Sequence, residues 1–308
     1  MSLLSRLLPK DAQGLGYGST ATDVTRGLNL RGRSILVTGG NSGLGLETVR
    51  ALAARGARVI ATGRSSEKVA AATSGFEGEI VPLGCDLANP VSVRAAVAAL
   101  QAQGVPLNAL ICNAGIMALP ALEQAFGYEL QFFTNHVGHF LLVTSLLPLL
   151  ASDARVVMVS SNAHRRAPAE GIQFENLSGQ RGYNPWRAYG QSKLANLLFA
   201  KELARRLAGS GKTANALHPG VIKTNLTRSM HGPVLLAFAL AEPLVLKSIP
   251  QGAATQCYVA THPAAAGITG EYFSHCRVAS STAASNDRGL AERLWRESER
   301  IVSELPKN

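Results

Sequence analysis

Tyr189 and Lys193 stand four residues apart in Tyr189-Gly190-Gln191-Ser192-Lys193, so on a helix a phenol and an ammonium share one face. A phenol titrates ordinarily near pH 10 and serves poorly at neutral pH, but an adjacent ammonium stabilises the phenolate. Such a phenol can protonate a carbonyl oxygen as hydride reaches its carbon, or take that proton back in reverse. Alone, the pair would be ordinary surface chemistry. Ser160-Ser161 ends an apolar run, where a hydroxyl can hold a substrate oxygen, and Asn135 sits within the helical run Thr134–Phe140, where asparagine is mildly unfavourable.

The second chemical stretch is Thr38-Gly39-Gly40-Asn41-Ser42-Gly43-Leu44-Gly45, set between the apolar run Ile35-Leu36-Val37 and a helix-periodic segment from Leu44 to Arg55. Glycines let backbone N–H groups approach a pyrophosphate, and the helix N-terminus faces the anion. The spacing of Gly39, Gly43 and Gly45 departs from the common G-x-G-x-x-G fingerprint, so the stretch alone could be only a tight strand-to-helix turn.

Positioning these groups falls to alternating elements. Arg58–Ala61, Glu79–Cys85, Ala109–Cys112, Arg155–Ser160 and Thr213–Leu217 read as further strands, and Tyr272-Phe273 as a last short one. Helices are expected from Asn89-Pro90 to Gln101, over a long region from Leu122 to Leu150, from Arg187 to Leu207 and from Leu290 to Val302. The nearly all-apolar strands suit a parallel sheet covered on both faces. The fold class expected is therefore α/β, a doubly wound Rossmann-type sheet in one domain over 31–308, with residues 1–30 an arm lying on it and ligands beyond the carboxyl ends of the strands. Asn225 to Pro250, apolar but broken by Gly232, Pro233 and Pro243, predicts short helices outside the core.

The 308 residues are 46% hydrophobic, ample for a large core, and no apolar run or leader suggests a membrane span or signal peptide, so a cytoplasmic location is expected. Cys85, Cys112, Cys257 and Cys276 lack metal or redox spacing and read as reduced, buried thiols. A formal charge of +10 attracts anions, but its dispersal speaks against nucleic acid and leaves a phosphorylated cofactor or weak contact with an acidic membrane surface. His136 and His139 lie a turn apart without a third ligand, so no metal is expected; His164, with Arg165 and Arg166, either borders a substrate mouth or belongs to a solvated loop.

Taken in order, Thr38-Gly39-x-x-x-Gly43-x-Gly45, Asn113-Ala114-Gly115, Asn135, Ser161, Tyr189-x-x-x-Lys193 and Pro219-Gly220 resemble the short-chain dehydrogenase/reductase family. Gly18-Ser19-Thr20-Ala21, Asn135–Phe140, Ser192–Asn196, His218–Val221 and Gly270–Phe273 resemble its branch of retinol dehydrogenases and the WW-domain-containing oxidoreductase, catalytic part only. The resemblance implies Tyr189 as general acid/base, Lys193 holding the nicotinamide ribose and depressing the tyrosine pKa, Ser161 positioning the carbonyl oxygen, and Asn135 keeping a helix distortion and a relay water. Ser160 remains the neighbouring alternative. It further implies that Asn113, Ala114 and Gly115 pass the cofactor ribose, that Asp86 and Leu87 flank the adenine, and that Pro219, Gly220, Val221 and Thr224 grip the nicotinamide amide.

Gly63 stands where NAD-using relatives carry an acid, and Arg64 with Ser65 and Ser66 offers bonds to a 2′-phosphate, which favours NADP(H). Pro233 to Leu246 lies where the family places its substrate lid, and its apolarity implies a lipophilic carbonyl or alcohol, a retinal-like aldehyde or a bulky aromatic or polyketide-type ketone; membrane contact or a partner interface competes. Leu194, Leu197, Leu198, Phe199 and Leu203 make the Tyr189 helix apolar nearly all round, as in a homo-oligomer. A cofactor-binding sensor or scaffold without turnover is the reading from another class.

Overall fold

The computed structural model describes residues 14–222 and 246–307. Its sheet is built from β1 (Ser34–Val37), β2 (Arg58–Gly63), β3 (Ile80–Gly84), β4 (Leu107–Cys112), β7 (Leu150–Val159), β8 (Thr213–His218), β9 (Tyr272–Ser274) and β10 (Arg277–Val278), with a separate small hairpin of β5 (Gln124–Ala125) and β6 (Tyr128–Glu129). The eight strands run in the order β10-β9-β8-β7-β4-β1-β2-β3, parallel apart from the β9–β10 pair. The order reverses between β1 and β4, which opens a crevice at their carboxyl ends.

The two-residue strand period divides the apolar runs between two cores. Ile35 and Val37 enter a core shared with α1 (Ala21–Thr25), α2 (Gly43–Ala53) and α7 (Ile249–Thr261), whereas Leu36 enters one shared with α4 (Pro90–Gln103), α5 (Gly138–Leu146), α6 (Pro185–Arg206) and α8 (Arg288–Glu304). Helix α3 (Ser66–Thr73) completes the β2–β3 crossover. All four cysteines are buried thiols outside any disulfide.

Several expectations change. Residues 14–30 form part of the core: Thr20 and Asp23 make a capping box that starts α1, whose Ala21, Val24 and Thr25 are buried. The stretch 122–150 is not one helix, because Phe126 and Gly127 take positive φ and turn the β5–β6 hairpin. A short helix, Leu130–Phe132, then leads into a π turn, Phe133–Val137, and α5. β7 begins at Leu150, ahead of the expected Arg155. Helix α7, which the sequence reading lacked, opens on a Ser248–Gln251 capping box with a proline in its first turn. Leu130–Leu149 is long and apolar enough to cross a membrane, yet 67% of it is buried inside the fold. Thr224 and most of the expected lid lie outside the described residues.

The second apolar face of α6 is closed by its own chain. Trp295 of α8 stacks on Phe199 at 5.5 Å between ring centroids, meets Phe140 edge-on at 5.0 Å and carries the Arg206 guanidinium at 4.0 Å. The apolarity that suggested a second subunit is satisfied within one chain.

Candidate active site

β7 brings the serines to the carboxyl edge of the sheet, and strand alternation separates their roles. Ser160 is 1% exposed and donates to the Lys193 carbonyl at 2.7 Å. Ser161 faces the other way, accepting from the Ala163 N–H at 3.1 Å and standing close enough to the Tyr189 phenol to lower its pKa. Lys193, one turn along α6, is buried, donates to the Val159 carbonyl at 3.0 Å and places Nζ 5.6 Å from the centre of the Tyr189 ring.

The ammonium was expected to depress the phenol, and the structure shows the opposite balance. Burial pushes Tyr189 up to about 12, only partly offset by the nearby Ser161 hydroxyl, and burial pushes Lys193 down to about 8. Desolvation dominates both groups, because Lys193 meets the ring face and a carbonyl, not the phenolic oxygen.

Asn135 lies inside the π turn, fully buried. Its Oδ1 accepts from the Ile116 N–H at 2.8 Å, and its Nδ2 donates to the Ile116 carbonyl and to Ser192 Oγ, each at 2.9 Å. The widened turn lets the amide clamp the loop that follows β4, a distortion of the kind seen at functional sites. A Cβ on Gly115 of that loop would lie 3.0 Å from Asn135 Oδ1 and 3.4 Å from Lys193 Nζ, so bare backbone fits where both groups converge.

The glycine turn closes against the same loop. A Cβ on Gly45 would strike the Gly39 carbonyl oxygen at 2.1 Å, whereas Gly43, at φ +53°, faces open space. Ser42 supplies no side-chain cap to α2, so its first N–H groups are left for a ligand. Asn113 Nδ2 donates to the Thr38 carbonyl at 2.8 Å and the Ala114 N–H donates to Thr38 Oγ1 at 2.9 Å. His139 Nδ1 lies 2.9 Å from the Asn135 carbonyl, which can only accept, so Nε2 accepts in turn from Thr38 Oγ1 at 2.9 Å. Burial holds His139 near about 4, hence neutral. Thr38, His139, Ser192 and Gln256, which reaches Asn113 Oδ1 at 3.3 Å, were missed as supports; only the i, i+4 spacing of Asn135 and His139 hinted at one of them.

The other expected residues line the same edge. Asn41 Oδ1 would lie 3.2 Å from a Cβ on Gly63, and Val69 would lie 2.8 Å from it, so no acid fits at that strand end. Arg64 is exposed, but Ser65 and Ser66 both donate to Glu67, a carboxylate that competes for their hydroxyls. Asp86 and Leu87 follow β3, with Asp86 Oδ1 accepting from Ala88 N–H at 3.0 Å and Leu87 buried. Pro219, Gly220 and Val221 follow β8, Val221 being 42% exposed. His164 is buried, not solvated: Nδ1 donates to the Ser161 carbonyl at 2.7 Å. His136 pairs with Ser298 at 2.8 Å, and no metal-holding cluster occurs among the described residues.

The short chain dehydrogenase family profile matches residues 33–232. The chain belongs to the short-chain dehydrogenase family. This short-chain dehydrogenase is 42% identical to the short-chain dehydrogenase TIC 32 B, chloroplastic, of Brassica napus, over 95% of its own length and 96% of the relative's. It is 39% identical to mouse retinol dehydrogenase 14 over 90% of this chain and 87% of that one, and 37% identical to the human WW domain-containing oxidoreductase over 96% and 74%. Among solved structures, a Mycobacterium Paratuberculosis protein superposes with a TM-score of 0.76 at 36% identity, covering 94% of this chain and 99% of that one. A Burkholderia cenocepacia short chain dehydrogenase in complex with NADP superposes at 0.65 and 27% identity, covering 80% and 97%. These likenesses place this short-chain dehydrogenase among oxidoreductases of the retinol dehydrogenase-like branch.

Proposed function

We propose that this chain is an NADP(H)-dependent oxidoreductase moving hydride between the nicotinamide and a carbonyl/alcohol carbon of an apolar substrate, with Tyr189 as general acid/base. The observation that carries the reading is the meeting of buried Lys193 and Asn135 at Gly115, on the edge where the Ser161 hydroxyl lies near enough to the Tyr189 phenol to lower its pKa. The residues fit the cofactor: Gly39, Asn41, Ser42, Gly43, Leu44 and Gly45 for the diphosphate, Arg64 for a 2′-phosphate, Asp86 and Leu87 for the adenine. Asn113, Ala114, Gly115 and Lys193 would hold the nicotinamide riboside, with Pro219, Gly220, Val221 and Thr224 at its amide. Bound there, the nicotinamide supplies or accepts the hydride.

Ser161 and Tyr189 fix the substrate oxygen between two hydroxyls. At neutral pH the phenol is fully protonated and set to donate, which suits reduction. Lys193, over the Tyr189 ring 5.6 Å from its centre, keeps positive charge near the phenolate that donation leaves, and a relay water held near Asn135 would return the proton. The apolar stretch 233–246 and the relatives named retinol dehydrogenase support a lipophilic substrate. Cytoplasmic location and indifference to nucleic acid belong to the same proposal; self-association through α6 does not, since α8 covers that face.

Loss of NADPH absorbance with retinal, apolar aldehydes and polyaromatic ketones tests the reading in wild type and Tyr189→Phe. Turnover should fall by roughly 10²–10⁴-fold in the variant with NADPH affinity kept. A variant that retains turnover would remove Tyr189 from the acid/base role, and a wild type that binds NADPH but reduces nothing would move the reading to a sensor.

A further inference from the structure

Beyond β8 the sheet edge holds a second buried amine that the proposed reaction does not use. Lys247 is 1% exposed, and its Nζ has no hydrogen-bond partner among the described residues. Its backbone N–H donates to the Val221 carbonyl at 2.8 Å, and Ile222 and Lys247 pair as a parallel bridge. Its stem lies against the Pro219-Gly220 turn: Gly220 holds φ +106°, and a Cβ there would come within 2.6 Å of Lys247 Cδ. The head stands 4.8 Å from the centre of the Tyr17 ring, a contact that attracts a cation without neutralising it.

Among the described residues no carboxylate compensates the charge, and only the Cys276 thiol acts to raise the Lys247 pKa. His275, whose ring centre is 4.7 Å from that of Tyr17, and His218 are held neutral by burial, at about 4 and about 3. Burial brings Lys247 down to about 8, which leaves it largely protonated at neutral pH, and no carboxylate among the described residues acts on it. An unpaired charge in a desolvated setting acts over longer distances than one in water.

The turn that Lys247 supports adjoins the reacting centre. The N–H of Asn162, the residue after Ser161, donates to His218 Nδ1 at 3.3 Å, tying the end of β7 to the end of β8. A ring delivering hydride to a carbon whose oxygen is held by Ser161 and Tyr189 must lie at this edge. The oxidised nicotinamide ring is a cation and the reduced ring is neutral.

We propose that Lys247 sets the balance of affinity between the two redox forms of the cofactor, its unpaired ammonium disfavouring the cationic oxidised ring relative to the neutral reduced one. This rests on the nicotinamide reading of the site given above. Because the diphosphate is common to both forms, any attraction of Lys247 for it cancels in the ratio of the two affinities.

The test is the dissociation constants of NADP+ and NADPH, by titration calorimetry, for the whole chain as wild type, Lys247→Met and Lys247→Arg. Lys247→Met should lower the ratio of the NADP+ constant to the NADPH constant roughly three- to tenfold. Lys247→Arg, which keeps the charge, should preserve it. Equal losses of both affinities in Lys247→Met, with the ratio unmoved, would overturn the proposal and make Lys247 a brace. A wild type that binds neither form would remove the nicotinamide reading itself and the proposal with it. Lys247→Gln carries the same comparison if the methionine variant does not fold.

Discussion

Gly45→Ala tests whether the β1–α2 turn is closed by backbone contact. The added methyl would sit 2.1 Å from the Gly39 carbonyl oxygen and 2.6 Å from Asn113 Nδ2. Neither can retreat freely, because Asn113 is itself bonded to the Thr38 carbonyl at 2.8 Å. Overpacking costs about 1–3 kcal/mol, and losing the Asn113 bond adds about 1 kcal/mol. At roughly 2 °C per kcal/mol for a large domain, the melting temperature should fall by roughly 4–8 °C. Gly43→Ala provides the contrast: with φ +53° and nothing within 4 Å, it meets only left-handed backbone strain. That strain is about 1–2 kcal/mol, hence roughly 2–4 °C. Thermal unfolding followed by circular dichroism, without cofactor, reads both. A Gly45→Ala melting temperature within about 1 °C of wild type, or a larger loss for Gly43→Ala, would refute the contact argument.

Trp295→Ala should cost about 3–5 kcal/mol and uncover the apolar face of α6. Light scattering should then show a mass above one chain, and a stable monomeric variant would contradict the covering role of α8. Acid should destabilise the fold, because burial holds His136 at about 3 and His139 at about 4, below the ordinary 6.5. The stability tied to these depressed values is complete above pH 6.5 and is lost as pH falls toward 4, by up to about 1.4 kcal/mol per group per pH unit. Urea midpoints that agree between pH 7 and pH 5 would sink this account. Glu67→Gln should release one of the two serine hydroxyls, since the amide oxygen still accepts one, and remove a negative charge next to Arg64, tightening NADP(H) while leaving NAD(H) affinity unchanged; equal shifts for both cofactors would place Glu67 outside the selectivity site.

The chemical groups were legible because they are punctuation. Glycines at Gly39, Gly43 and Gly45, the Asn89-Pro90 helix start and the polar breaks after each strand mark local backbone demands that residue types state directly. Tertiary balances were not legible. The Tyr189–Lys193 spacing is visible in the chain, but that Lys193 turns to Val159 and both groups titrate under burial depends on strands brought together by the fold. Periodicity showed the apolar surface of α6 but not that Trp295, nearly a hundred positions on, returns to fill it. The stretch 122–150 read as one helix because its apolar spacing continues through the Phe126-Gly127 turn, whose reversal depends on two positive φ values. Helix α7 was overlooked because its small residues, from Gly252 to Ala260, give little amphipathic signal.

The bridge between Ile222 and Lys247 has an architectural consequence. Ile222 and Lys247 stand side by side, with the Lys247 N–H bonded to the Val221 carbonyl, so two positions far apart in sequence are held at one place on the sheet edge. The entropy of bringing such positions together grows only with the logarithm of the sequence between them, so the bridge costs little more however many residues separate its two sides.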